Sequence, residues 1–383
     1  MIPGIGPTAP RFPLTKTRRP RTAGFSFFVH PARIASFVLV GTCALWAFSF
    51  PLLKALQVLG QRSAPAADSF FISTLLVAVR FSIAAVFFLA AIGFRRWLAR
   101  HRAKSNPTPA PAHAKRTSPW FTREELLQGG GIGLFGGLGL VLQMDGLAYT
   151  SGSVSAFLTQ GYAILIPLWT AAVQRRLPRF RVMSACGLVV IGAAVLSGLT
   201  WSQRQLGRGE WETLGGSVLF AAQILWLERP RFRDNRTWQS TTLMFTTMSL
   251  VCWVLALQLK PAAVGLFAAF ATKEAAALLA LLTVLCTLLT FPLANHWQPK
   301  VSATQAGLLY CTEPVFTSLV CLFVPSWISQ GTGIDYPNEV LSRNLIVGGT
   351  LILLANLVLQ MPVRQEGTGE RTPSQPRLPR ENT

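Results

Sequence analysis

Two charged residues sit where charge is costly. Arg80 and Glu313 each fall deep inside an apolar run of roughly the ~20 residues that a helix needs to cross a bilayer. A charge at the centre of such a run costs roughly 2.5 to 3.5 kcal/mol on insertion scales, so residues of this kind tend to be kept for a function. At ~1.5 Å of rise per residue, Arg80 lies about 14 Å and Glu313 about 16 Å below the same membrane face. The shared depth predicts one central cavity with the two groups paired directly or across a substrate, Arg80 anchoring an anionic or zwitterionic group. Glu313 is then its partner or a protonatable coupling site. A purely structural ion pair is the competing reading. Lys54 and Asp145 make a second match of depth, about 3 and 5 Å below the outer face by the same rise. There a long side chain can snorkel to water, and an ion pair with a structural role is expected. Gln143, Gln160, Tyr162 and Gln223 are uncharged polar groups inside apolar runs and are expected to line a substrate path. Trp46 is either a cavity wall or ordinary packing.

Other chemistry is missing. The chain has no GKS or GKT phosphate loop, no HExxH, no GxSxG and no paired catalytic carboxylates. Gly131-Ile-Gly133-Leu-Phe-Gly136 is formally GxGxxG, but no strand precedes it and no βαβ unit surrounds it. Gly133 and Gly137 form a GxxxG, so helix packing is the better reading. The six cysteines all lie in apolar runs without CxxC, and the four histidines lie in tails and loops. Neither an enzyme, a metal site nor a cofactor is expected.

The elements that must position these residues are ten apolar runs, at about 34–56, 71–93, 126–148, 153–173, 182–200, 211–228, 241–259, 273–294, 302–324 and 341–361. With 51% hydrophobic and 13% charged residues, the chain is far from a soluble average. Most of the 35 Lys and Arg fall in every second connection: before residue 34, in 94–125, in 174–181 (Arg175, Arg176, Arg179, Arg181), in 229–240 (Arg229, Arg231, Arg233, Arg236), at Lys300 and in the C-terminal tail. The intervening connections hold almost none, and 325–340 is acidic through Asp335 and Glu339. By the positive-inside rule both termini are cytoplasmic, and the expected location is a bacterial inner membrane. The same bias explains the net charge of +20 without a nucleic-acid partner.

Residues 1–33, the centre of 94–125 and 362–383 are Pro-rich and polar, and are expected to be disordered cytoplasmic segments, not a cleaved leader. Ten runs invite division into halves, at 34–200 and 211–361. Five is odd, so duplicated five-helix halves enter the membrane in opposite orientations, the inverted repeat of many secondary transporters. Runs four and nine, 153–173 and 302–324, both begin small and polar and carry a proline, Pro167 and Pro314.

The run Val301-Ser-Ala-Thr-Gln-Ala-Gly, leading into Glu313-Pro314-Val315-Phe316, resembles the ninth-span signature of the EamA family in the drug/metabolite transporter superfamily. Trp46 to Lys54 resembles that family's first span, Arg80-Phe81 its second, Gln143 to Ser151 its third-to-fourth junction, and Gly187 to Ser197 its fifth. The resemblance covers residues 34–361. Two departures stand out. Gln174 to Pro178 replaces the family's Gly-Glu-Arg turn, and the loop from Ser326 to Glu339 lacks it too.

The family implies an all-α integral membrane fold, ten transmembrane helices as two inverted repeats around a central cavity, and alternating access. The expected function is secondary or facilitative transport, more specifically export, of a small organic metabolite that is amino-acid-like or drug-like. The expected partners are that small molecule, the lipid bilayer and protons, with a homo-oligomer also compatible. An integral-membrane enzyme such as a lipid-modifying transferase, and a membrane sensor that does not transport, are the alternatives.

Overall fold

In a solvent that offers no hydrogen bonds, every backbone amide must be paired within the chain, and helices do this segment by segment. The computed structural model describes residues 31–105, 119–173, 175, 180–196 and 206–360, and all regular structure among them is helical. The expected tails, except residues 31–33, and the centre of the 94–125 loop lie outside the described residues.

Fifteen α-helices follow in order: α1 (Pro31–Ala47), α2 (Ser49–Ser63), α3 (Ser69–Ser105), α4 (Arg123–Tyr149), α5 (Gly152–Thr159), α6 (Tyr162–Val173), α7 (Phe180–Leu196), α8 (Arg208–Leu227), α9 (Thr237–Leu259), α10 (Lys273–Thr283), α11 (Thr290–Trp297), α12 (Ala303–Tyr310), α13 (Glu313–Cys321), α14 (Val324–Thr332) and α15 (Arg343–Gln360). Six continuous helical stretches, counting α1 with α2, α5 with α6 and α10 with α11 as one each, are long and apolar enough to cross a membrane. The bent pair α13 and α14 makes a seventh if it counts as one span. Large apolar side chains coat the outside of the bundle, Phe37, Val190 and Leu250 among them, each more than 60% exposed. A surface so apolar marks contact with lipid or a partner, not water.

Boundaries differ from expectation in two places. Helix α3 runs on to Ser105, so the 94–125 connection is shorter than its polarity suggests. Residues 325–332, expected in a loop, belong to α14, which starts at Val324.

Four helix breaks have a shared cause. A proline has no N–H for the carbonyl four residues back, and its ring crowds that carbonyl. The break at Phe48 precedes Pro51, a π-helical turn at Val284–Leu288 precedes Pro292, α12 ends four residues before Pro314, and α13 ends four before Pro325. The last break bends the chain by 50°. Its freed carbonyl, that of Cys321, accepts from the Glu339 amide at 2.9 Å.

Close helix approaches rest on glycine. A methyl group on Gly129 would stand 2.4 Å from Leu243 Cβ, and one on Gly133 would stand 2.7 Å from the Met244 carbonyl. The GxxxG surface of α4 therefore seats α9, as the small-residue reading expects. Helix α4 also packs along α8, α3 along α9, and α7 along α15.

Candidate functional site

Two of the helix breaks put residues on a cavity of about 110 Å3. Trp46 and Ser49 reach it from the α1–α2 break, Tyr310 and Glu313 from the α12–α13 break, and Phe291 and Asn295 from α11. Continuous helices supply Arg80 on α3, Gln143 on α4 and Gln223 on α8.

Arg80 is almost fully buried, 2% exposed. Its Nε donates to Thr287 Oγ1 at 2.5 Å and its Nη2 to the Cys286 carbonyl at 2.9 Å, both on the π-helical turn. In a π turn the bonds run to the fifth residue, and Leu289 donates to the Val284 carbonyl at 3.3 Å. That widening leaves the Cys286 carbonyl able to receive the guanidinium. Arg80 has further N–H donors beyond these two bonds, and among the described residues no carboxylate pairs with it.

Glu313 opens α13, where a carboxylate suits the positive end of the helix dipole. It is half-buried and lines the cavity, with no ion pair among the described residues. The expected meeting of Arg80 and Glu313 in one cavity is therefore present, whereas direct pairing is not. The cavity stands between them.

Aromatic rings form one wall. Trp46 meets Phe291 edge-on with centroids 5.4 Å apart and lies 5.7 Å from Tyr310. The Trp46 indole N–H is buried without a hydrogen-bond partner. Tyr310 donates to Gln298 Oε1 at 2.9 Å, leaving the Gln298 amide nitrogen unpartnered. Two idle donors beside an idle carboxylate are the groups a polar ligand would satisfy. Gln143 donates to Thr159 Oγ1 at 2.7 Å, and Gln223 has room because Gly136 carries no side chain. Tyr162 also lines the cavity.

Gln160 is a correction. It caps the end of α5, is 1% exposed, does not line the cavity, and neither of its amide atoms has a partner. Its polarity inside an apolar run singled it out, but that carries no information on which side of a helix a residue faces.

Lys54 and Asp145 are a second correction, because they do not pair. Lys54 Nζ donates to the carbonyls of Leu147 at 2.6 Å, Ala148 at 3.0 Å and Thr150 at 3.0 Å, the unpaired end of α4. Asp145, fully buried, takes Arg208 Nη2 at 2.5 Å. A lysine at a helix C-terminus meets several carbonyls and the negative end of the dipole together, which one aspartate cannot match. On the other side of the same turn, Glu339 accepts from the Gly152 amide at 2.6 Å and the Ser153 amide at 3.3 Å, at the start of α5.

Sequence reading did not single out Asn295 or Gln298, which line the cavity, or Thr287 and Cys286, which hold Arg80. Pro292 was the available signal, since it predicts a disturbed helix one turn earlier. Among the described residues no cluster of His, Cys, Asp and Glu could hold a metal, and the six cysteines are free thiols. Two of them serve breaks as donors: Cys286 Sγ reaches the Leu45 carbonyl at 3.2 Å and Cys43 Sγ the Leu309 carbonyl at 3.6 Å.

The chain matches no protein-family model and no curated protein. One crystal structure of a protein superposes with a TM-score of 0.49 at 17% identity, covering 84% of this chain and 96% of that one. A likeness at that level carries nothing about function.

Proposed function

We propose that this protein is a secondary or facilitative transporter of the EamA type, exporting a small organic molecule that carries an anionic group and a cationic or hydrogen-bonding group on an apolar body. The observation that carries this reading is the pairing of opposite charges across the cavity: Arg80 and Glu313 both line it, and neither has a charged partner. A buried unpaired charge is costly, and a ligand that brings the opposite charge removes the cost. Arg80 receives the anion, Glu313 takes the cationic group or a proton, and Trp46, Phe291 and Tyr310 pack against the apolar part.

The architecture of this proposal is ten spans in two inverted halves, with both termini in the cytoplasm. Supporting it, each expected span coincides with one helix or one broken series of helices. Three sets of packed spans are also five apart, α3 on α9, α7 on α15, and α5 and α6 on α13 and α12, while α4 packs on α8 and α9 instead. A duplicated five-helix unit brings corresponding helices together about its two-fold axis. Alternating access then rocks one half against the other, with broken helices around the site supplying the hinges.

The experiment is a comparison of metabolites in medium and cells with and without overexpression, repeated with Arg80→Gln. A species that accumulates outside only with the intact chain names the substrate class and fixes direction.

A further inference from the structure

A second space, of about 680 Å3, borders the central cavity, and Asn295 lines both. Its walls are α4 at Gln128 and Ile132, the end of α8, the following loop, the start of α9, and the end of α11 with the turn Gln298–Lys300. These connections are among the basic ones, so the charge bias puts this vestibule at the cytoplasmic side.

Arg229, Arg233, His296 and Lys300 line it. Positive-inside bias explains why arginines occur in this loop, but not the two ways in which they are used. Arg231 places two hydrogen bonds on the Glu124 carboxylate, at 2.8 and 3.1 Å. Arg236 places two on Glu125, at 2.6 and 2.8 Å. Arg229 and Arg233 have no carboxylate partner among the described residues. Arg229 instead lies over the Trp226 ring at 3.9 Å. Lys300 lies over Trp297 at 3.5 Å, with His296 Nε2 2.9 Å from its ammonium. A cation resting on an aromatic face keeps its charge and its donors for an incoming anion. The one carboxylate of the lining, Glu228, has an oxygen without a partner and leaves the vestibule net basic. Ile132, Leu227, Phe232 and Val301 make up the apolar wall.

We infer that the vestibule is a second ligand site, taking a carboxylate or phosphate on Arg229, Arg233 and Lys300 with an apolar body against Phe232 and Val301. Its role as a loading site for Arg80 rests on the transport reading; binding at the vestibule does not. The anion comes either from a soluble molecule or from an anionic lipid headgroup.

Calorimetry on the full chain in phosphatidylcholine nanodiscs tests it, with phenyl phosphate as probe and benzyl alcohol as uncharged control. Phenyl phosphate is expected to bind the wild type and Arg231→Gln, whose guanidinium is already committed to Glu124, alike. Arg229→Gln with Arg233→Gln, and separately Lys300→Gln, should weaken it by about tenfold or more, the loss of one charge-assisted hydrogen bond. Benzyl alcohol should not distinguish the variants. If discs containing phosphatidylglycerol weaken the probe in the wild type, a lipid headgroup occupies the site; if they do not, the site takes soluble anions, and either result upholds an anion site. The inference is overturned if the wild type does not bind phenyl phosphate, or if binding falls with Arg80→Gln and not with the vestibule variants. A folded chain that binds here but shows no flux would refute transport and leave this site standing.

Discussion

Arg80 and Glu313 face one cavity from two helices without touching, and each is held by its own helix irregularity. Arg80 is tied to the π-helical turn through Thr287 and Cys286, while Glu313 begins the helix that restarts after the break before Pro314. The distinction between a structural ion pair and two ligand contacts follows from this. A structural pair places opposite charges in contact; here the guanidinium is fixed by neutral acceptors and the carboxylate by its place at a helix start. Charge is thus kept apart and left unspent.

Reversing both charges, Arg80→Glu with Glu313→Arg, should therefore not restore activity. Each single reversal is expected to reduce flux by at least about a hundredfold, the cost of losing a charge-assisted contact in a desolvated site. The double reversal should stay inactive while running as a monodisperse species on size exclusion. Recovery of transport would mean that the two groups serve each other.

Thr287→Val removes the hydroxyl that fixes Arg80 Nε but keeps the shape of the side chain. Binding of substrate should weaken about tenfold and stability fall by about 1 to 3 kcal/mol, because a buried guanidinium donor loses its acceptor, whereas Thr287→Ser should stay near wild type in both. Equal behaviour of the Val and Ser variants would remove Thr287 from the account.

At the end of α4, Lys54→Met leaves the carbonyls of Leu147, Ala148 and Thr150 without this donor. A loss of about 1 to 3 kcal/mol of stability is expected from unsatisfied buried acceptors. Because Lys54 and Asp145 serve different partners, a double-mutant cycle of Lys54→Met with Asp145→Asn should give a coupling below about 0.5 kcal/mol. A larger coupling, read from thermal or denaturant unfolding, would revive the direct pair.

Gly129→Val should prevent assembly of α4 on α9, since a first side-chain carbon alone already meets Leu243 and the Ser240 carbonyl within 2.8 Å. The expected reading is loss of monodisperse protein, with Gly130→Ala, which has open space, unaffected. Normal yield of the Gly129 variant would show that α9 sits elsewhere.

An all-helical chain with several helices long and apolar enough to cross a membrane was legible in the sequence, because the bilayer imposes a length rule that acts on each segment by itself. The two charges inside apolar runs, Arg80 and Glu313, were legible as well, and they line one cavity. Azimuth was not: Gln160 does not line the cavity it was expected to line, and Asp145 pairs with Arg208 instead of Lys54. The partner of Asp145, Arg208, comes from the start of α8, a contact no local pattern announces. The helix breaks were half legible. Pro167 and Pro314 drew notice, whereas Pro51 and Pro292 obey the same four-residue rule and mark the α1–α2 break and the π-helical turn that carry Trp46 and Thr287.

The most direct measurement is flux from proteoliposomes loaded with a cytosolic metabolite extract and analysed by mass spectrometry, with and without a pH gradient. Wild-type liposomes are expected to release a small set of charged organic molecules faster than empty ones, Arg80→Gln liposomes to release none of them, and Glu313→Gln liposomes to lose any response to the pH gradient. Folded wild-type protein that releases nothing above empty liposomes, or the same molecules released at the same rate by Arg80→Gln, would contradict the account.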